Sequence, residues 1–207
     1  MVYIIIPVFN RKEFTRTCLL SLERQTLQDH KIIVVDDGST DGTKDMIREE
    51  FPDVTVLFGN GSLYWTASVN LGIRHALSEG AEYIMTLNND TVAEKHLMEK
   101  MRFWSQEKPQ ALLGALDIDS ISRRPYYGGE IVHRLWNTST FLLNKLPERD
   151  RTGLHKVSLF PGRGLLIPRN VFETIGLFEQ NKLPHYMADY DFTRMAADHG
   201  FEIFCNY

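Results

Sequence analysis

The sequence predicts an α/β fold with a mostly parallel central sheet flanked by helices, and two observations support this prediction. Apolar segments rich in β-branched residues alternate along the chain with segments whose apolar residues recur at helical spacing. The strand-like segments are continuously apolar, which is typical of parallel strands covered on both faces. Because such sheets bind ligands beyond the carboxyl ends of their strands, the functional residues are expected directly after each strand.

The alternation is clearest in the amino-terminal part of the chain. Strands are predicted, in order, at Val2–Val8, Ile32–Val35, Val54–Phe58, Tyr83–Leu87 and Ala111–Leu116. The helices between them are predicted around Phe14–Leu22, over Thr40–Glu50, and around Val69–Leu77 and Leu97–Trp104. A helix between consecutive strands returns the chain to the starting edge of the sheet, so these strands are expected to run parallel.

The rest of the chain departs from this alternation. Residues 117–150 are rich in Arg, Asn, Gly and aromatic side chains without a clear period, which predicts irregular structure or a hairpin. A short strand through Gly164–Ile167, a helical turn around Val171–Ile175 and a final helix from about Asp189 then follow. The sequence stops directly after the strand-like Phe201–Cys205, so we expect a single domain that is truncated at its carboxyl end.

The composition excludes several functional classes. The 207 residues carry a formal net charge of -4, whereas binding to nucleic acid needs clustered excess Lys and Arg. Cys18 and Cys205 form no CxxC pair, which excludes a cysteine zinc site and fits a reducing compartment. The histidines show no HExxH spacing, so zinc hydrolase chemistry has no support. No segment approaches the roughly 20 apolar residues of a transmembrane helix, which leaves peripheral membrane contact or a segment outside this sequence.

Two carboxylates end the second predicted strand. Asp36 and Asp37 stand at the edge of the sheet where ligands bind, and a carboxylate there can accept the imide N–H of uracil or thymine. The same segment suits a turn in which Ser39 or Thr40 caps the next helix. A calcium-binding EF-hand loop does not fit, because its twelfth position is Arg48 instead of Glu.

A second polar cluster, Asn88-Asn89-Asp90, ends the fourth predicted strand. Asp90 offers the hard oxygen ligand that Mg²⁺ or Mn²⁺ prefers, and phosphate groups of a ligand would complete such a site. The alternative is an Asn/Asp turn in which Asp90 or Thr91 caps a helix. Both interpretations of this segment stay open on spacing alone.

Three segments stand in a characteristic order: Pro7-Val8-Phe9-Asn10 after the first strand, Val35-Asp36-Asp37-Gly38-Ser39 after the second and Asn88-Asn89-Asp90 after the fourth. In order and spacing they resemble family 2 glycosyltransferases. The resemblance continues through Gly59–Thr66, Asn70–Gly72 and Gly162–Pro168, so it spans nearly the whole chain. Within the family, the chain is similar to the rhamnosyltransferase-like branch.

The resemblance implies a GT-A fold, in which a Rossmann-like nucleotide-binding half, about residues 1–116, precedes a small irregular acceptor-side half, about residues 117–207. It implies an inverting, metal-dependent transfer of a sugar from a UDP-, dTDP- or GDP-sugar to a saccharide or polyprenol-linked acceptor. The expected process is cell-surface polysaccharide biosynthesis. The expected location is the cytoplasm, with peripheral contact to the inner face of the membrane.

The resemblance also implies a donor site built from residues that follow the strands. The expected donor-binding residues in this group are Pro7, Val8, Asn10, Asp36, Asp37, Asn70 and Asn89, and Asp90 is the expected metal ligand for Mg²⁺ or Mn²⁺. Asn88 stands where the family's DxD motif has its first Asp. With fewer negative ligands, metal binding is expected to depend more on the donor diphosphate.

Two aromatic residues and an arginine extend the expected donor site. Tyr64 and Trp65 would stack on a base or sugar, or pack into the core. Tyr64 also replaces the third glycine of a dinucleotide fingerprint, which argues against an NAD enzyme. Arg163 lies between two glycines and is expected to contact phosphate, the alternative being a loop arginine without a ligand.

The segment Ala188-Asp189-Tyr190-Asp191 resembles the family's Glu-Asp-x-Asp segment, with Ala188 in place of Glu. Asp189 then matches the catalytic base, Asp191 is the alternate base, and Arg194 either contacts diphosphate or pairs with a nearby carboxylate. The alternative is structural: Asp189 is a good helix N-cap, and Asp191 suits the first turn of a helix.

Two other functions are weighed against the transferase. A nucleotide-sugar binding module without catalysis is suggested by Asn88 and Ala188, which replace acidic residues of the family motifs. A nucleotidyltransferase would usually carry a glycine-rich basic loop after the first strand, whereas Pro7–Asn10 has no glycine. The sequence therefore favours the transferase.

Overall fold

The computed structural model describes residues 1–133, 135–136 and 138–207. The strands are β1 Val2–Val8, β2 His30–Asp36, β3 Thr55–Phe58, β4 Tyr83–Thr86, β5 Leu112–Ala115, β6 Asp117–Ile118, β7 Pro125–Tyr127, β8 Glu130–His133, β9 Thr138–Phe141, β10 Leu154–Val157, β11 Leu165–Pro168 and β12 Ile203–Asn206. The helices are α1 Lys12–Glu23, α2 Thr43–Glu50, α3 Tyr64–Ser78, α4 Leu97–Glu107, α5 Arg169–Ile175 and α6 Ala188–Asp198, with 3-10 turns at Leu142–Asn144 and Glu148–Asp150. The predicted α/β alternation is confirmed.

Eight strands form the central sheet in the order β10-β12-β5-β11-β4-β1-β2-β3. Neighbours from β3 to β4 are parallel, as are β5 and β12, whereas β11 and β10 run antiparallel to their neighbours. The prediction of a mostly parallel sheet is confirmed, and the two antiparallel strands are a departure from it. The register gives the reason. The first residue of β10, Leu154, pairs with Asn206 at the end of β12, and the first residue of β11, Leu165, pairs with Thr86 at the end of β4. Both antiparallel strands therefore begin at the edge where the parallel strands end.

Both faces of the sheet are covered, which explains why its strands are continuously apolar. Along β1, Ile4 and Ile6 face the core layer that contains α1, α2 and α4, and Ile5 faces the layer that contains α3, α5 and α6. All three side chains are fully buried. Because burying one such side chain contributes about 1.5–3 kcal/mol, β1 is held firmly and its carboxyl end is a rigid base for the loop that follows.

The segment after β5 forms two antiparallel hairpins outside the main sheet, β6 with β7 and β8 with β9. The hairpin alternative predicted for residues 117–150 is thereby confirmed. Tyr127 anchors these hairpins, since its ring makes edge contacts with Phe141 and with the buried Phe160, each at 5.8 Å between ring centroids. This region therefore packs against the core beside the carboxyl edge of the sheet.

Helix boundaries at this edge differ slightly from prediction. Helix α2 begins at Thr43 instead of Thr40, because Asp41 Oδ1 accepts both the N–H and the hydroxyl of Thr43 and forms a turn before the helix. Helix α6 begins at Ala188, one residue before the predicted start. Among the described helices, none is both long and apolar enough to cross a membrane.

Candidate active site

A cleft opens at the carboxyl ends of β1, β2 and β4, the edge at which open α/β sheets bind ligands. Its volume is about 380 Å³. The lining residues are Pro7, Val8, Phe9, Arg11, Asp37, Gly61, Tyr64, Trp65, Ser68, Asn88, Asn89, Asp90 and His185. Polar segments that lie far apart in the sequence therefore meet at one place, as the strand pattern predicted.

Asn10 holds the loop after β1 against the loop after β2. Its N–H donates to Ser39 Oγ at 2.7 Å, and its Oδ1 accepts the N–H of Thr40 at 3.0 Å. Asp36 Oδ1 accepts the N–H of Ser39 at 2.8 Å, which confirms the turn predicted for this segment. The helix cap predicted for Ser39 or Thr40 is wrong, because Gly42 is the N-cap residue of α2. Asn10 and Asp36 thus support the cleft through these bonds and are not among its lining residues.

Asp37 is buried and organises the neighbouring loop. Its Oδ1 accepts the N–H of Gly61 at 2.8 Å, and its Oδ2 accepts the N–H groups of Leu63 at 2.8 Å and Tyr64 at 3.3 Å. Because an ionised carboxylate has about four acceptor positions, these bonds leave about one for a ligand. Gly59 permits this arrangement, since a Cβ there would lie 2.3 Å from Asp37 Oδ1.

The two aromatic residues of the loop occupy different environments. Tyr64 is 60% exposed at the cleft wall, with its ring 6.0 Å from that of His185. Trp65 is half-buried, packs edge-on against Phe178 at 5.7 Å, and donates its indole N–H to Asn88 Oδ1 at 3.0 Å. Of the two predicted roles, stacking on a ligand therefore suits Tyr64, and Trp65 combines core packing with lining the cleft.

Asn89 and Asp90 have opposite surroundings although they are adjacent. Asn89 is buried, and its amide donates to Thr15 Oγ1 at 3.1 Å. Asp90 is exposed, and its Oδ2 accepts a hydrogen bond from Arg11 Nη1 at 2.9 Å. Within residues 1–133, 135–136 and 138–207, no group of three or more His, Cys, Asp or Glu side chains is arranged to hold a metal. A single accessible carboxylate still fits Mg²⁺ or Mn²⁺, which commonly bind through one carboxylate and ligand phosphates.

Asp189 lies inside α6 rather than at its cap. Met187 occupies the N-cap position at φ 69°, and no side chain in the described part of the chain caps this helix end, so the N-cap interpretation of Asp189 is wrong. Asp189 Oδ2 instead accepts the N–H of Gly162 at 2.8 Å, and Oδ1 accepts the N–H of Tyr190 at 2.9 Å. These bonds hold the carboxylate towards the loop before β11.

Packing connects Asp189 with the cleft. A Cβ at Gly162 would lie 2.5 Å from the Trp65 ring and 3.4 Å from Asp189 Cβ, so all three residues are in close contact. Trp65 in turn bonds to Asn88, two residues before Asp90. The segment Asn88–Asp90, called the metal-motif segment below, and the predicted base Asp189 are therefore joined by one contiguous series of residues, in which Gly162 takes part through its backbone.

Three predicted site residues lie elsewhere. Asn70 is buried and exchanges hydrogen bonds with the backbone of Phe178. Asp191 pairs with Arg194 at 3.0 Å, as the pairing alternative predicted. Asn70, Asp191 and Arg194 line a separate cavity of about 720 Å³ beside α3 and α6. The structure therefore does not bring these residues into the cleft, which corrects their expected place there.

Arg163 forms an ion pair with the largely buried Asp117 and lies 5.4 Å over the ring of Tyr127. Burial raises the pKa of Asp117, and the Arg163 guanidinium opposes that rise. Arg163 is thus held by Asp117 of β6 and Tyr127 of β7. It is also not among the lining residues of the cleft.

Sequence reasoning missed several residues that the structure brings to this edge. Arg11 directly follows the motif Pro7–Asn10, and its positive charge beside that motif could have indicated a residue of the site. The hydroxyls of Tyr127 and Tyr190 lie 2.8 Å apart, and burial raises the pKa of both, so these phenols stay protonated and available for hydrogen bonding. Tyr190 adjoins Asp189 in the sequence, but only the folded chain pairs it with Tyr127.

Solved glycosyltransferase structures share the fold of this chain. The structure of S. aureus TarS 1-349 in complex with UDP aligns with a TM-score of 0.73 at 16% identity, covering 99% of this chain and 57% of that one. Mannosyltransferase PcManGT from Pyrobaculum calidifontis, in complex with GDP-Man and Mn²⁺, aligns with a TM-score of 0.70 at 18% identity, covering 99% of this chain and 56% of that one. The predicted GT-A fold is confirmed.

Sequence comparison identifies relatives and a family. An uncharacterized glycosyltransferase of Rickettsia typhi is 29% identical over 198 residues, which are 92% of this chain and 57% of the relative. Poly(ribitol-phosphate) beta-glucosyltransferase of Bacillus spizizenii is 30% identical over 125 residues, 55% of this chain and 18% of the relative. This chain thus spans just over half the length of its Rickettsia relative. The family model for Glycosyl transferase family 2 matches residues 3–176, which are most of the chain. This chain therefore belongs to glycosyl transferase family 2.

Proposed function

We propose that this domain transfers a sugar, with inversion, from a nucleotide-diphosphate donor to a saccharide or lipid-linked saccharide acceptor. One observation carries the proposal: the series Asn88, Trp65, Gly162 and Asp189 joins the metal-motif segment to a second carboxylate at the same edge of the sheet. Inverting transfer needs such a pair of sites, one for the departing diphosphate and one for the acceptor proton.

The cleft suits a nucleotide at its β1 and β2 side. Pro7 and Val8 line this side, and Phe9 and Tyr64 present rings that are 57% and 60% exposed, available to pack against a base. Asp37 has about one acceptor position left beside them. Related folds are solved with UDP, UDP-GlcNAc and GDP-Man, which supports a nucleotide-sugar donor.

Asp90 is the residue that would hold Mg²⁺ or Mn²⁺ together with the donor phosphates. Such an ion, when bound, supplies positive charge that stabilises the departing diphosphate. The fit rests on an exposed carboxylate that lines the cleft and whose described partner is Arg11. The PcManGT complex with Mn²⁺ supports the same class of cofactor.

Asp189 is the proposed base. The acceptor oxygen forms a bond to the anomeric carbon while the bond from that carbon to the diphosphate oxygen breaks, and its electron pair leaves with the diphosphate. The hydroxyl proton passes to an oxygen of Asp189. The N–H groups of Gly162 and Tyr190 fix this carboxylate at the first turn of α6.

The acceptor side is formed by the hairpins and by Tyr127 and Tyr190, whose phenols are suited to bind saccharide hydroxyls. Among the relatives are a Teichoic acid poly(glycerol phosphate) polymerase of Staphylococcus epidermidis and the Bacillus glucosyltransferase, which supports a role in cell-surface polysaccharide synthesis. We propose that the donor carries a rhamnosyl group and that the acceptor is linked to a polyprenol. We also propose that the enzyme acts at the cytoplasmic face of the membrane.

Calorimetric titration with UDP, dTDP and GDP, each with and without Mn²⁺ or Mg²⁺, tests the donor site. Metal-dependent binding of one nucleotide is expected. A folded protein that binds none of them contradicts the proposal.

Asp189→Asn tests the base. Turnover is expected to fall about 10³-fold, because a positioned base contributes on that order, while the affinity for nucleotide stays unchanged. Asp191→Asn is the matched control, since Asp191 lies in the separate cavity and pairs with Arg194. Full turnover by Asp189→Asn would remove Asp189 from this role.

A binding module without catalysis is the second candidate, favoured by Asn88 and Ala188 in place of acidic motif residues and by Arg11 on Asp90. It predicts metal-dependent nucleotide binding without turnover. Transfer of a sugar to any acceptor excludes it.

A further inference from the structure

Arg11 adopts an unfavourable backbone conformation at the mouth of the cleft. It is the N-cap residue of α1 at φ 62° and ψ 43°, and the preceding Asn10 also has φ 60°. Asn adopts this left-handed conformation more readily than most residues other than glycine, so the strain lies mainly at Arg11. Such strain typically occurs where function requires a side chain in one particular place.

The charge of Arg11 also opposes the local structure. Helix α1 has 12 residues, and its amino end carries partial positive charge, which disfavours a cation there. Ser, Thr, Asp or Asn is the usual N-cap residue, whereas Arg11 makes no side-chain cap bond with any described residue. Asp41 Oδ2 from another loop accepts the N–H of Lys12 at 2.8 Å instead. Neither helix stability nor backbone preference explains an arginine at this position.

Arg11 has two described side-chain contacts, the ring of Phe14 at 5.8 Å and the carboxylate of Asp90, and the second gives the explanation. Its guanidinium lies 2.9 Å from Asp90 Oδ2, 79 residues away in the sequence, and both side chains line the cleft. They are 57% and 44% exposed, so water screens the pair and it can open readily. The guanidinium therefore occupies the carboxylate that would hold a divalent cation, in a position from which it can turn to another anion in the same cleft.

We propose that Arg11 is an internal counter-cation of Asp90 that is exchanged for the metal, and that the released guanidinium positions the donor diphosphate. This inference rests on the proposed donor and metal site and adds a residue to it. Two cations compete for one carboxylate, so Asp90 releases Arg11 when a divalent ion binds. A guanidinium binds two phosphate oxygens at once, so a diphosphate is the natural new partner.

The first test measures Mn²⁺ alone by calorimetry, in the whole domain without nucleotide. Arg11→Gln keeps the length and strain of the loop but removes the competing charge, so Mn²⁺ should bind about two- to fivefold more tightly, as expected when an exposed ion pair is lost. Arg16→Gln is the matched control, because Arg16 lies on the same helix and pairs with Glu13 and Glu50 instead. Its Mn²⁺ affinity should equal that of the wild type.

The second test measures nucleotide diphosphate with Mn²⁺ present. UDP, or whichever diphosphate binds the wild type, should bind Arg11→Gln about tenfold more weakly, whereas the corresponding nucleoside should bind equally well, because only the phosphate contact is lost. Arg11→Lys should lie between the two, since it keeps the charge but not the planar fork. Thermal unfolding verifies that each variant is folded.

Opposite changes, tighter metal and weaker diphosphate, support the exchange. Equal Mn²⁺ and UDP affinities in Arg11→Gln and wild type overturn it and leave the proposed function intact. Parallel weakening of metal, diphosphate and nucleoside also overturns it, because that pattern indicates a distorted loop. A wild type that binds neither Mn²⁺ nor any nucleotide overturns the proposed function and this inference together.

Discussion

Two turns with similar sequences use their carboxylates in opposite ways. The β2 turn, residues 36–40, follows β2, and its Asp37 is 5% exposed and accepts three backbone N–H groups. The β4 turn, residues 88–90, follows β4, and its Asp90 has a side chain that is 44% exposed and accepts a hydrogen bond from the side chain of Arg11. Both aspartates line the same cleft.

The difference shows that position after a strand does not by itself define a ligand-binding residue. The carboxylate of Asp37 accepts backbone N–H groups of the neighbouring loop, so its first role is to shape the loop that carries Tyr64. Asp90 keeps its carboxylate accessible and is available to a ligand once Arg11 turns away. Substitution of Asp37 should therefore lower the free energy of unfolding, and substitution of Asp90 should change ligand affinity.

Asp37→Ala is the strongest test of this difference. The substitution leaves three backbone N–H groups without their acceptor, so the free energy of unfolding should fall by about 3 kcal/mol, measured by urea denaturation. Asp37→Asn retains an amide oxygen and should lose about half as much. A change within 0.5 kcal/mol for Asp37→Ala, the range of about ±0.5 typical of surface sites, would contradict the structural role.

Gly59→Ala tests the same turn from the other side. The added Cβ would meet Asp37 Oδ1 at 2.3 Å and Leu63 Cδ1 at 2.6 Å, so the loop has to move. The expected loss is about 2 kcal/mol, as for other overpacked sites, again by urea denaturation. Gly80→Ala is a steric control, because a Cβ there meets no described atom within 4 Å, although its φ of 82° adds backbone strain. A smaller loss for Gly59→Ala than for this control would count against the role of Asp37.

Trp65→Phe tests the link between the β4 turn and Asp189. It keeps an aromatic ring but removes the donor to Asn88, so stability should fall by about 1 kcal/mol and turnover should fall with it. The comparison variant is Trp104→Phe, which removes a similar indole bond to Asn206 outside the cleft. Trp104→Phe should lower stability but not the turnover of the folded protein, and equal turnover in both variants would disprove the link.

Asp90→Asn should change stability least. Its side chain is exposed, so the free energy of unfolding should stay within about 0.5 kcal/mol of the wild type. Nucleotide binding, however, should lose its dependence on Mn²⁺, measured by the calorimetric titration described above. If the Asp90→Asn variant still binds nucleotide in a Mn²⁺-dependent way, the metal ligand is a residue other than Asp90.

The fold and the place of the site were accessible from the sequence. Continuous β-branched runs such as Val2–Val8 report burial on both faces, because each strand carries its own apolar pattern. Parallel strands then bring their carboxyl ends to one edge, which is why the segments after β1, β2 and β4 were correctly expected to meet. Periodicity is a local property, and a single sequence contains it.

The tertiary structure alone decided which polar groups are free and which are engaged. Arg11 and Asp90 are 79 residues apart, and Asp189 and Gly162 are 27 apart, so no local pattern pairs them. It also separated Asp189, held beside the cleft, from Asp191, turned towards Arg194 in another cavity, although both stand in one helical turn. A hydrogen-bond partner is chosen by packing between distant segments and by the direction in which a side chain leaves its helix, and these arise only when the chain has folded.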